Sequence, residues 1–247
     1  MVHLWTLSSY QPNTYTWNDT IGSAHLIAQN NGNNVGQATI GSSSWKAVTL
    51  QNGAVLASSK LTTTISTRTL SWWVKINSLQ QTAGGFGIST ADYDKFEAMV
   101  WNERAANEGW FFGSSHGAKS GSAQAFASST SLNNWYMITA VYDTDYKMYV
   151  DDTLLFTIPN AGYLQTFSDP YRYLMGPRAL LGSTAAGYIN GAVGEAMVWG
   201  RALSSNEVKY LYDSTYLTYR GKITIITIII IIINNNIIIT ISTVCNM

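Results

Sequence analysis

Three acidic side chains within six residues form the one run in this sequence that could support paired-carboxylate chemistry. Asp92, Asp94 and Glu97 lie in the stretch DYDKFE. Retaining glycoside hydrolases place two carboxyl groups about 5 to 5.5 Å apart, as nucleophile and general acid, which one strand achieves with residues two apart, or three or four apart across a bulge. Both aspartates precede the expected strand, so a solvated turn is the competing interpretation. The sequence therefore favours a non-enzymatic protein and keeps glycoside hydrolysis as an alternative.

An aromatic and polar set follows the acidic run. Trp101 precedes Glu103 and Arg104, Trp110 lies across the next turn, and Trp73 comes from an earlier strand. Sugars present C–H faces to aromatic rings, and their hydroxyls bond to carboxylates, amides and guanidinium groups. These five residues are the candidate carbohydrate contacts. In the competing interpretation the tryptophans fill the core, since burying such a ring stabilises a fold by several kcal/mol, while the two charged residues pair in a loop.

Other chemistries have less support. His3, His25 and His116 lack the spacing of a metal site, and the single cysteine, Cys245, cannot form a thiolate cluster. No glycine-rich loop joins a strand to a helix, which argues against nucleotide binding. The net charge is zero and no basic patch is visible. Because phosphate neutralisation needs clustered Lys and Arg, nucleic acid is not an expected partner.

Short strands are the elements that must position these residues. In LSWWVKI (70–76) alternation places Leu70, Trp72, Val74 and Ile76 on one face. Further runs of strand length are FEAMVW (96–101), GWFFG (109–113), WYMITAVY (135–142), YKMYV (146–150), TLLFTI (153–158), RALLG (178–182) and GAVGEAMVW (191–199). WYMITAVY is apolar on both faces, which predicts a central strand. Short strands spaced along 247 residues predict one antiparallel sandwich or jelly roll.

Local signals mark a turn and a helix. Asp151 and Asp152, between two strand patterns, predict a two-residue hairpin turn that needs positive φ. The S-x-x-E spacing at 204–207 predicts a capping box and a short amphipathic helix that packs back on the sandwich. Glu195 and Arg201 share a face of the preceding strand by parity, and we expect a structural ion pair between them.

The C-terminal stretch differs from the rest in composition. Residues 223–244 read ITIITIIIIIINNNIIITISTV. A membrane-anchoring helix, a pair of added strands and a translated A/T-rich repeat are three alternatives that the sequence leaves open. In each case we expect a domain over 1–220 and a low-complexity tail over 221–247. The N-terminus lacks the basic and apolar pattern of a secretory signal peptide.

Two longer stretches carry a family resemblance. NNWYMITAVYDTDYKMYVDDTLLF (133–156) and YINGAVGEAMVWGRALSSNEVKYLY (188–212) resemble the C-terminal half of a laminin-G-like or concanavalin A-like lectin/glucanase domain. In that family a Trp opens a central strand, a hairpin reads "YvDG", and a final "fnG.i.E..vynraLs..E" strand leads into a short helix. LSWWVKI and WNDTIGSAH (17–25) resemble earlier family segments, and FEAMVWNER resembles a variant found in algal and large-virus proteins.

The resemblance implies an all-β, antiparallel, concanavalin A-like jelly-roll sandwich with one short C-terminal helix. It implies a non-catalytic carbohydrate-binding or surface-adhesion module. A scaffold without a glycan ligand is one alternative. A β-glucan hydrolase acting through Asp92, Asp94 and Glu97 is another, since this run is similar in spacing to the family-16 glucanase motif E-x-D-x-x-E.

The same resemblance implies a cofactor, partners and a location. Laminin-G-like domains often hold calcium at the sandwich rim, and Asp19 matches that position best. Ile21 interrupts the small residues expected after it, and Asp152 replaces the usual turn glycine. The expected partner is a glycan or cell-surface polysaccharide, or else a protein, with a membrane involved only if the tail is an anchor. An extracellular, cell-surface or virion location is implied.

Overall fold

The protein folds into a large antiparallel β-structure with one α-helix near the C-terminal end of the described residues, which confirms the predicted all-β class. The computed structural model describes residues 1–29, 32, 34–40, 44–51, 53–78, 84–90, 95–102, 109–115, 132–159, 164–168, 170–181, 184–220, 225–233 and 236–244. The strands and the helix are β1 His3–Gln11, β2 Thr16–Asp19, β3 Leu26–Ala28, β4 Val35–Thr39, β5 Lys46–Leu50, β6 Leu56–Ser58, β7 Arg68–Ile76, β8 Phe86–Thr90, β9 Phe96–Trp101, β10 Trp110–Ser114, β11 Trp135–Tyr142, β12 Tyr146–Val150, β13 Thr153–Ile158, β14 Tyr171–Met175, β15 Pro177–Leu181, β16 Thr184–Tyr188, β17 Gly191–Trp199, α1 Ser205–Arg220, β18 Ile225–Ile233 and β19 Asn236–Val244.

The main sheet folds over on itself to make two facing layers. Its strand order is β10-β9-β8-β14-β6-β3-β2-β1-β17-β7-β11-β12-β13, and β5 pairs with β17 on one side and with β4 on the other. Strands β10 to β3 form one layer and β17 to β13 the other, while β2 and β1 join them. Alternate residues of both layers meet in one core. The predicted face of Leu70, Trp72, Val74 and Ile76 lies in that core, and β11 is buried along its whole length.

A second apolar cluster lies on the outer face of the β17–β7–β11 layer. Trp73 points to this face, and helix α1 covers it. The Tyr219 ring stacks on Trp73 at 4.5 Å and 14°, and it meets the Trp135 ring at 5.1 Å. Opposite Trp73, strand β17 has a bulge where Tyr219 accepts a hydrogen bond from the backbone N–H of Glu195 at 2.6 Å. This layer is apolar on both faces. The facing layer buries one face, and helix α1 therefore buries the other.

The start of helix α1 has the predicted capping box. The Ser204 hydroxyl accepts the Glu207 N–H at 3.3 Å, and the Glu207 carboxylate accepts the Ser204 N–H at 2.9 Å. The prediction that Arg201 pairs with Glu195 is wrong. Arg201 bonds to both oxygens of Glu207, at 2.6 and 3.0 Å, because the chain turns into the helix directly after the strand. Glu195 stays without that partner, and its burial raises its pKa.

The predicted hairpin turn between β12 and β13 is also present. Val150 pairs with Thr153, and Asp151 has a φ of 57°. Asp152 has no positive φ, and the register shifts between Met148 and Tyr149. The second turn position therefore does not require glycine, since only the first adopts a positive φ.

Two antiparallel strands make up the described part of the tail. β18 pairs with β19 from Ile225 with Val244 to Ile233 with Asn236, in a sheet separate from the main one. This backbone agrees with the added-strand alternative. Within the described ranges no helix has the length and apolar character needed to cross a bilayer. The domain boundary after residue 220 stays a prediction.

Gly194 tests the docking of helix α1. A Cβ at this position would lie 2.2 Å from the Tyr219 ring, which cannot shift because it is stacked on Trp73. We expect Gly194→Ala to lower the free energy of unfolding by about 1 to 3 kcal/mol through overpacking. Urea unfolding followed by near-UV circular dichroism measures it. Gly200→Ala is the matched control, because its Cβ would make an ordinary 3.6 Å contact with Val2. Equal stability of the two variants would contradict this account.

Candidate functional site

The structure brings Trp101 and Trp110 together inside the core. They pair directly across β9 and β10 with ring centroids 5.3 Å apart, and both side chains are fully buried. Trp72 from the facing layer lies 5.9 Å from the Trp110 ring. This placement agrees with the competing interpretation that the tryptophans fill the sandwich. The carbohydrate contacts predicted for them stay a prediction, and neither ring has an exposed face.

The other predicted contact residues are not gathered around that pair. Trp73 points to the opposite face of its layer, is fully buried under helix α1, and donates its indole N–H to Thr215 at 2.8 Å. Glu103 and Arg104 lie outside the described residues. The described members of the predicted set therefore do not form a surface site.

Glu97 is an internal carboxylate. It shares a strand face with Trp101, points between the layers, and forms a fully buried ion pair with Arg68. The Tyr146 hydroxyl donates to Glu97 at 2.5 Å. Asp92 and Asp94 lie outside the described residues. Glu97 is thus held by structural partners, and its position gives no support to the hydrolase alternative.

Arg68 is a residue that the sequence interpretation missed. Its guanidinium donates to the Gln165 carbonyl at 3.0 Å and lies over the rings of Tyr142 and Phe167, at 4.6 and 5.0 Å. Strand alternation could have revealed its burial, because Arg68 falls two residues before Leu70 and so lies on the core face of β7. A buried charge of this kind needs a carboxylate partner, which Glu97 supplies.

Asp19 organises the turn after β2. Its carboxylate accepts four backbone N–H groups at 2.9 to 3.1 Å, from Leu4, Ile21, Gly22 and Ala24. The His3 ring nitrogen Nδ1 lies 2.5 Å from the same carboxylate. Burial alone would raise the pKa of this carboxyl, but the hydrogen bonds outweigh it and hold the pKa below its usual value.

The surroundings of Asp19 do not fit a calcium ion. Calcium takes six to eight oxygen ligands, whereas Asp19 is surrounded by N–H donors. Among the described residues no group of three or more His, Cys, Asp or Glu side chains could hold a metal. Gly22 also approaches so closely that a Cβ there would lie 2.6 Å from His3 and 2.7 Å from the Asp19 carboxylate. The calcium prediction stays a prediction without support from this geometry.

A surface cavity lies beside the turn that joins β1 and β2. Its volume is about 550 Å³, and its lining residues are Asn13, Thr14, Tyr15, Ile27, Ala28, Gln29 and Gly32. Tyr15 is 39% exposed and Ile27 is 45% exposed, so the lining of the cavity includes apolar residues that are open to solvent. Sequence interpretation gave no site here.

Tyr15 holds an unusual backbone conformation at this cavity. Its φ is 50°, and the other non-glycine residues with positive φ in the described part of the chain are Asn or Asp. The left-handed region costs a bulky residue about 1 to 2 kcal/mol. The Tyr15 carbonyl accepts the Ala28 N–H at 2.9 Å, and the ring lies against Gly32, where a Cβ would be 2.2 Å from Cγ. The Tyr15 ring thus lies at the rim of the cavity in a backbone conformation that lowers the stability of the fold.

Glu97→Gln separates the structural from the catalytic role of this carboxylate. We expect it to lower the free energy of unfolding by about 3 to 5 kcal/mol, because Arg68 is left as an unpaired buried charge. The double variant Arg68→Met with Glu97→Leu is the control and should lose less, since it buries no charge. Urea unfolding measures all three proteins. A Glu97→Gln protein that is as stable as wild type would contradict the structural role.

The lowered pKa of Asp19 predicts a pH dependence. Its stabilising contribution should be fully present above the unfolded-state pKa of about 3.9 and lost as the pH falls through the lower folded-state pKa. Asp19→Asn should therefore cost about 1 to 3 kcal/mol at about pH 7 and less at about pH 3. Denaturant midpoints at both pH values measure it. Asp213→Asn, on the exposed face of α1 beside Lys209, should change little at either pH. A pH-independent cost at Asp19 would contradict the assignment.

The comparisons with known proteins agree with this fold. Comparison with curated protein sequences yields no match. Domain 4 of AbnA, a GH43 extracellular arabinanase from Geobacillus stearothermophilus solved with arabinotriose, aligns with a TM-score of 0.61 and 16% identity over 85% of this chain and 97% of that domain. Trypanosoma rangeli sialidase, solved as a covalent intermediate with 2,3-difluorosialic acid, aligns with a TM-score of 0.59 and 15% identity over 87% of this chain and 33% of the sialidase. Identities this low show the fold alone.

The family comparison is more specific. The Laminin_G_3 family model, described as concanavalin A-like lectin/glucanases superfamily, matches residues 48–209. The match covers the facing layers from β5 through β17 and the capped start of α1. It thus includes the whole of the stretch 133–156 and all but the last three residues of the stretch 188–212, in which the sequence showed the resemblance. The chain belongs to the concanavalin A-like lectin/glucanases superfamily.

Proposed function

We propose that this domain is a non-catalytic carbohydrate-binding module whose binding site is the cavity beside Tyr15. The observation that carries the proposal is a tyrosine held at φ 50° with its ring exposed at the rim of a cavity. Strained residues cluster at ligand sites because the surrounding structure stabilises them for a purpose other than folding.

The cavity has the chemistry that a sugar requires. Its volume of about 550 Å³ lies within the range of small-molecule sites, about 300 to 1,000 Å³. The Tyr15 ring and Ile27 offer apolar surface to the C–H groups of a sugar. Asn13, Thr14 and Gln29 offer amide and hydroxyl groups that both donate and accept hydrogen bonds. The Gln29 amide nitrogen donates to the Ile27 carbonyl at 2.9 Å, which orients that side chain and leaves its oxygen for another donor.

The comparisons support a sugar as the class of ligand. The superfamily is named for lectins and glucanases, and the similar AbnA domain was solved with bound arabinotriose. A glycan or surface polysaccharide is therefore the proposed partner, and an extracellular, cell-surface or virion location is proposed on the same basis. The contacts predicted at Trp73, Trp101 and Trp110 are not part of this site, because their rings lie in the core.

Tyr15→Gly tests the site with little effect on the fold. Glycine adopts φ 50° freely, so the turn should persist and the midpoint of thermal unfolding should change by only a few degrees. Loss of the ring should weaken binding about tenfold, since an aromatic contact contributes about 1.5 kcal/mol. A glycan array finds the ligand for the wild-type protein, and calorimetry with the strongest array ligand compares the variants. Tyr210→Ala, which removes a 76% exposed tyrosine from helix α1, should bind like wild type.

Three outcomes would contradict the proposal. Equal affinity of wild type and Tyr15→Gly would remove the cavity as the site. A blank array for the folded wild-type protein would favour the scaffold alternative. Release of reducing sugar from laminarin would instead favour the hydrolase alternative.

A further inference from the structure

We infer that the Tyr15 cavity is built for neutral saccharides and excludes acidic ones such as sialylated, uronic acid or sulfated glycans. The inference rests on the proposed function, because it names the class of ligand for the same site. The charges of the residues around the cavity distinguish the two classes of ligand.

The described lining of the cavity carries no charge. None of the seven described residues that line it is Asp, Glu, His, Lys or Arg. The segments that supply them are uncharged over a longer distance, since residues 4–18 and 26–45 contain no acidic, basic or histidine side chain. In a chain with 14 Lys and Arg and 14 Asp and Glu, the charged groups are therefore kept away from this part of the sequence.

No described arginine is among the residues that line the cavity. Arg68 is buried against Glu97, and Arg220 bonds to Asp151 at 2.6 Å. Arg201 bonds to Glu207 at the start of α1, and this helix contributes no residue to the described lining. The described lining therefore offers neither an arginine fork nor a helix N-terminus to a carboxylate or sulfate.

An uncharged cavity discriminates by desolvation. A carboxylate or sulfate loses part of its hydration on entering, and it needs a cation or several N–H donors in return. A neutral sugar needs only partners for its hydroxyls and an apolar surface for its C–H face. Asn13, Gln29, Tyr15 and Ile27 supply these. Binding through such groups releases no counterions, so its affinity should not depend on salt.

Matched sugar pairs test the inference on the full chain. The pairs are lactose with sialyllactose, xylo-oligosaccharides with glucuronoxylo-oligosaccharides, and galactans with sulfated galactans. Each pair is compared first on one array. Its affinities are then measured by calorimetry at about 0.05 M and about 0.5 M NaCl. We expect the neutral member to bind more tightly in the pair that is recognised, with the same affinity at both salt concentrations and with loss of binding in Tyr15→Gly.

A variant with an added positive charge at the cavity should bind the acidic sugars more tightly. Gln29→Lys places a cation at the cavity and should raise the affinity for the acidic member about threefold or more at low salt, with the gain lost at high salt. Thr157→Lys adds the same charge on the exposed face of β13, at the far end of the strand order, and should not change the preference.

The outcomes separate this inference from the proposed function. Tyr15-dependent binding that prefers the acidic member, or that falls with salt in the wild type, would overturn the inference and leave the carbohydrate-binding function in place. Failure of Gln29→Lys to raise affinity for the acidic member beyond Thr157→Lys would also count against it. No binding of any probe by the folded protein would overturn the proposed function, and the inference with it.

Discussion

Burial of the central strands on both of their faces is the constraint on which the rest of the structure depends. Strand β7 turns Leu70 and Trp72 toward the facing layer and Trp73 away from it, and all three are fully buried. A two-layer sandwich can cover only one of these faces. Helix α1 covers the other, with Tyr219 stacked on Trp73 and seated on Gly194. This explains why a chain with few helix signals places one capped helix directly after the last strand of the main sheet.

The same burial decides what the charged groups do. Arg68 lies in a sandwich core filled by aromatic side chains, and Glu97 beside it removes the cost of an unpaired buried charge, which is a large fraction of the stability of a domain. Asp19 is likewise held by four backbone N–H groups in the turn after β2. Glu97 and Asp19, which suggest acid chemistry and calcium binding by type and spacing, are thus bound to structural partners. The described lining of the cavity beside Tyr15 carries no charge and includes amide and hydroxyl side chains.

Sequence patterns predicted the regular elements well where the physical cause is local. Alternation in β7 follows from strand geometry, and the capping box at Ser204 needs only residues three apart. The pairing of Arg201 was wrong because strand parity ignores the turn into the helix, which brings Glu207 closer. Tyr15 was missed because no local preference favours tyrosine at positive φ. Its conformation is imposed by contacts with Ala28 and Gly32, which are distant in sequence.

The sequence by itself determined the all-β class, the superfamily resemblance and the capped helix, because periodicity, capping and turn chemistry act over a few residues. Tertiary structure alone decided which tryptophans are buried. Trp72 and Trp73 are adjacent residues of the same type that point to opposite faces of β7. Only the layers that pack on those faces determine how exposed each ring is. It also decided that Glu97 is internal and that a turn tyrosine lies at a cavity. Exposure and charge pairing are properties of the assembled layers, since they depend on neighbours that the chain brings together from far apart.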